Sequence, residues 1–151
     1  MKSLTQAALI LTFALMAFTG NAQQKTKQKM FGAFPENISL KTETLAGFFN
    51  MKTGETAGVD LTDDFFFSGE VVDNIQRYSN LQSVLIRSDF FKNTLFSISK
   101  QLNDDKSVTY VGRIMTDDML DGYKLTQDEK GNYSLVKFDA SNMRQDCSYL
   151  R

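Results

Sequence analysis

From residue 55 to residue 139 the apolar residues recur at every second position, in short runs separated by Gly, Asn, Asp and Ser. A period of two places alternate side chains on one face of a strand; a helix would need a period near 3.6. The runs cover residues 55–61, 65–75, 81–88, 94–102, 108–115, 123–127 and 133–139. They start about 10 to 15 residues apart, and the later ones are joined by short loops, which is the spacing of an antiparallel meander. In the loop Asp128-Glu129-Lys130-Gly131-Asn132, Gly131 suits a hairpin position with φ > 0. The run 81–88 is apolar on both faces and is expected near the centre of the sheet.

The pattern predicts a mainly β chain (α+β in the widest reading). Six or seven strands would form a sandwich or a small barrel, with one short N-terminal helix. That helix is expected within residues 38–49, where Leu45, Phe48 and Phe49 have i, i+3, i+4 spacing and Asn37 or Ser39 is placed to cap it. Pro35 marks a turn before it. The chain is 42% hydrophobic and 23% charged, an ordinary globular balance. With 151 residues that is one domain, assigned to 31–151.

The first 30 residues read differently. Met1 and Lys2 precede a 12-residue apolar run, residues 7–18, and Gly20 and Ala22 then stand at −3 and −1 of a cleavage point. This three-part order predicts a signal peptide over 1–22, and the run is too short for a membrane span. No Cys lies near the cleavage point to carry a lipid anchor. The protein is therefore expected to be exported, to the periplasm or beyond. Residues 23–30 form a polar, flexible leader containing Lys25, Lys27 and Lys29. Without signal and leader lysines, 13 basic residues face 18 acidic ones. An acidic body offers nucleic acid no electrostatic footprint.

Several chemistries are closed to this chain. It has no His, so Ser-His-Asp and Cys-His catalysis and His-based metal sites are excluded. No glycine-rich phosphate loop occurs. The one Cys, Cys147, cannot form an internal disulfide; it is a candidate intermolecular thiol or a small buried hydrophobe.

The acidic pairs Asp63-Asp64, Asp104-Asp105 and Asp117-Asp118 fall between the predicted strands. Such residues form and solubilise turns. Asp117, Asp118 and Asp121 also offer three carboxylates within five residues, a candidate calcium site. Two distant acids could alternatively serve a His-independent hydrolase.

Arg87 and Arg113 lie inside apolar strands. They face solvent, pair with acids such as Glu70 or Asp73, or share an anion-binding pocket. The aromatic clusters Phe48-Phe49, Phe65-Phe66-Phe67 and Phe90-Phe91 cannot all enter one core from strands. Either the sheet is covered on both faces or an apolar patch is exposed, and Phe66, Phe90 and Phe91 become candidate contact residues. Gly69 and Gly112 share an aromatic-x-Gly setting and are expected to bend and coil the sheet.

These readings point first to a small exported, non-enzymatic binding or interaction module acting on another exported or envelope protein. The alternatives are a dedicated inhibitor or chaperone-like partner of such a protein, and the carboxylate hydrolase.

Overall fold

The computed structural model describes residues 29–62, 65–116 and 120–139. Eight strands and one helix follow in the order β1 (Asn37–Leu40), α1 (Thr42–Phe48), β2 (Thr56–Thr62), β3 (Phe65–Tyr78), β4 (Leu81–Ser88), β5 (Thr94–Leu102), β6 (Val108–Thr116), β7 (Asp121–Gln127) and β8 (Tyr133–Asp139). They form one antiparallel sheet with the order β1-β8-β7-β6-β5-β4-β3-β2. Strands β2 to β8 are a continuous meander, and β1 adds to the free edge of β8. The two sheet edges, β1 and β2, approach each other, so the sheet curls into a nearly closed barrel.

The strand count exceeds the expected six or seven because residues 37–40 form β1 and do not belong to the helix. Ile38 and Leu40 turn inward and pair with Leu135 and Tyr133 of β8. Helix α1 begins only at Thr42, after extended Lys41, and no side chain caps it, so neither Asn37 nor Ser39 has that role. Strand β3 also runs past its last apolar alternation to Tyr78. Two register shifts let its polar end follow β4 to the hairpin tip.

The interior is filled by side chains, as suits an eight-stranded barrel. Phe67 and Val71 of β3, Val84 and Ile86 of β4, Phe96 and Ile98 of β5, Ile114 of β6 and Leu135 of β8 are all fully buried. Each end is then stopped differently. At one end α1 inserts Leu45 and Phe48, followed by Phe49. The Phe48 ring stands 5.7 Å from Phe96, and Phe49 lies 5.7 Å from Tyr110. Asn74 and Gln82 project inward there and donate amide N–H groups to the Phe49 carbonyl, which no helical donor satisfies.

At the other end the segment before β1 supplies the stopper. Phe31 is fully buried among Phe34, Phe65, Phe91 and Tyr123. The chain must therefore be ordered well before β1. Lys29 and Met30, placed in the leader by composition, are tied to the barrel. Lys29 pairs with Asp139 at 3.1 Å, and the Met30 backbone N–H donates to Asp121 at 2.7 Å.

Glycines permit the curl. A Cβ on Gly69 would lie 2.1 Å from the Arg87 carbonyl oxygen, and one on Gly112 would lie 2.8 Å from that of Ser97. At both places the neighbouring strand occupies the space a side chain would need, so each glycine marks a close approach of backbone.

Candidate binding surface

With the interior filled, polar and apolar side chains that remain accessible stand on the outer face, at the rims and in the turns. On the outer face of β4 to β7 the register sets residues side by side. Leu85 of β4 faces Ser97 of β5, Ser97 faces Arg113 of β6, and Arg113 faces Lys124 of β7. The row below it carries Ser83, Ser99 and Val111. The hydroxyls of Ser83 and Ser99 meet at 2.9 Å. Small serines between larger neighbours leave a depression of about 400 Å³, walled by Val111, Met115 and Phe138 and edged by Arg113 and Lys124. No second layer of described residues covers it. Of the two arrangements the aromatic runs allowed, the described residues leave the outer face of the sheet open.

The depression lies along the shortest ladder of the sheet. The ladder between β6 and β7 holds only at Arg113↔Lys124 and Ile114↔Tyr123. Further along, the Tyr110 backbone N–H donates instead to the Tyr133 hydroxyl at 3.0 Å. A side chain thus stands in for a missing strand partner.

Arg113 and Lys124 place two cations directly opposite one another, an arrangement that costs stability in a sheet. Among the described residues no carboxylate lies within 4.0 Å of either. Elsewhere cations do meet acids: Lys137 with Glu36, Arg77 with Asp73 and Lys29 with Asp139. Arg87 is also on the outer face, in register with Glu70. Two strand spacings, about 10 Å, separate it from the β6 position. The two arginines therefore do not share one pocket; Arg113 shares its pocket with Lys124, which sequence alone did not single out.

The candidate contact phenylalanines separate in the same way. Phe66 faces outward, and its ring lies over Gly58, where a Cβ would come within 2.9 Å of the ring. It shields a strand glycine, a known device for protecting exposed backbone. Phe138 covers Gly122 in the same manner. Phe91 belongs to the aromatic stopper, 5.6 Å from both Phe31 and Phe65. Phe90, next to it, is 70% exposed in the β4–β5 turn.

Asp121 has a different role from the metal ligand expected of it. It is buried, and its two carboxylate oxygens accept the backbone N–H groups of Met30 and Phe31 at 2.7 and 2.9 Å. It staples the stopper to β7. Asp117, Asp118 and Cys147 lie outside the described residues. Among the described residues no three acidic or thiol side chains converge on a point. Asp105 is held below the usual carboxylate range by hydrogen bonds from Ser107, and Asp128 likewise by Asn132. Both act as turn formers, accepting N–H donors two to four residues ahead.

Two tyrosines are displaced upward. Burial raises Tyr110, with a further contribution from Tyr133. Burial, then the negative charges of Glu36 and Asp121, push Tyr123 to about 12. The Tyr123 hydroxyl donates to the Pro35 carbonyl at 2.6 Å and is a strut of the stopper. Among the described residues no helix is long and apolar enough to cross a membrane.

No protein-family model, curated protein or solved structure matches the chain.

Proposed function

We propose that the protein is a small exported, non-enzymatic interaction module. Its working surface is the outer face of β5 to β8, and its partner is another exported or envelope protein. The observation that carries this reading is the contrast between a filled interior, stopped at both ends, and an outer face with a depression that no described residue covers. A barrel built to hold a ligand inside would leave room there. Exposed Val111 and half-buried Met115 and Phe138 give the outer face apolar contact area, and the serines keep it shallow enough for another chain to approach.

The test is affinity capture of the tagged protein from its own envelope and medium, without reductant, beside a Val111→Arg variant that fills the depression. A Cys147→Ser variant runs in parallel. The reading expects a stoichiometric partner that Val111→Arg loses. If the partner persists with Val111→Arg and disappears with Cys147→Ser, the contact is through the thiol and the outer-face reading is wrong.

A further inference from the structure

Resting on that surface reading, we infer that the depression between β5 and β7 binds an acidic–apolar protein segment. One carboxylate of the segment sits between Arg113 and Lys124, and an adjoining apolar side chain lies against Val111, Met115 and Phe138.

Three features lead there. The first is the charge. Arg113 and Lys124 are a register pair at the end of the β6–β7 ladder, so their Cα atoms stand opposite one another and both side chains leave the same face. Held side by side they repel, and each lacks an acid among the described residues. A carboxylate placed between them would turn the repulsion into two charge-assisted contacts, with the guanidinium able to engage both oxygens. The second feature is the floor. Ser97 and Ser99 lie beside Arg113 and Val111 and offer hydroxyls that donate or accept, which suits a backbone amide of a bound segment. The third is size and polarity. A space of about 400 Å³ with apolar walls takes one or two side chains, and it would not take a polymer.

The choice of a protein segment follows from the rest of the molecule. Acidic residues outnumber basic ones in the body of the chain. With 17 basic and 18 acidic residues in the whole chain, a densely charged polyanion or an anionic bilayer meets no net positive field to draw it in. A segment with one carboxylate and an apolar neighbour meets little long-range repulsion and uses both halves of the site.

The test uses the full protein and two capped hexapeptides, one with a single aspartate between two leucines and the other with asparagine in its place. Amide shifts of Ser97, Ser99 and Gly112 report binding at the site. The inference expects the aspartate peptide to bind about tenfold more tightly than its counterpart, with the preference shrinking as salt rises. An Arg113→Gln/Lys124→Gln variant should lose that preference. Equal binding of both peptides, or a preference unchanged in the double variant, overturns it. Anionic phospholipid vesicles form a separate arm: charge-dependent binding to vesicles without peptide discrimination assigns the cations to a lipid and also overturns the inference. If the peptides discriminate by charge but shift residues outside the depression, the surface reading itself fails.

Discussion

The inner and outer faces of β6 differ in kind. On the inner face Tyr110 stands against Phe49 and Tyr133, Gly112 admits the backbone of β5, and Ile114 is fully enclosed. On the outer face Val111 is exposed, Arg113 confronts Lys124, and Met115 walls a depression. Each inner residue has a neighbour that explains it. The outer residues are a poor choice for stability, since like charges repel and an exposed valine gains nothing by burial. On the proposed function, residues that a fold does not need, and that cost it slightly, are where a second molecule would act.

That difference can be broken or sharpened by substitution. The largest effects belong to the stopper. Phe31→Ala should cost about 3–5 kcal/mol, as for a fully buried aromatic. Asp121→Ala should cost about 3 kcal/mol, because two N–H donors lose their acceptor. Urea unfolding measures both. A loss below about 1 kcal/mol for Phe31→Ala would show that residues 29–36 are an appendage and that the barrel does not depend on them. Next comes the curl. Gly69→Ala forces a methyl against the Arg87 carbonyl and should cost about 1–3 kcal/mol. An unchanged midpoint would mean that β3 and β4 can part there freely.

A pH scan reads the same stopper. Tyr123 keeps its proton in the folded protein to about 12, above the ordinary tyrosine value of 10. Between those values the folded state binds more protons than the unfolded one, so stability should fall as pH rises from about 10 towards 12. Tyr123→Phe should flatten that decline while weakening the tie to Pro35. An equally steep decline in the variant would place the titrating group elsewhere.

The smallest effect belongs to the outer face. Arg113→Gln/Lys124→Gln should leave stability within about 0.5 kcal/mol. Any change should be towards greater stability at low salt, because a repulsion is removed. A clear destabilisation would make the pair a structural feature and remove the asymmetry from which the binding surface was inferred.

The strands were legible because their alternation is strong. Strands β4, β5 and β8 begin and end where the sequence pattern does. The glycines were legible too, since a Gly inside an alternating run has few uses. Strand β1 was not, because Ile38 and Leu40 are only two alternations and run into the helical spacing of Leu45, Phe48 and Phe49. Asp121 stood next to other acids, and nothing local shows that its acceptors face N–H groups about 90 positions upstream. Lys124 was hidden for a related reason. An outward lysine in a strand is ordinary until the register sets it against Arg113, and register between strands is not written in either strand alone.

The most direct test is site-specific photo-crosslinking in the protein's own cells. A photoreactive residue replaces Val111 on the outer face, Tyr78 at the helix-stopped rim or Phe90 at the opposite end. These side chains are 51%, 70% and 70% exposed, so bare accessibility favours the two ends. The account predicts a discrete crosslinked partner from position 111 and none from 78 or 90. A partner captured from 78 or 90, with position 111 silent, would contradict it.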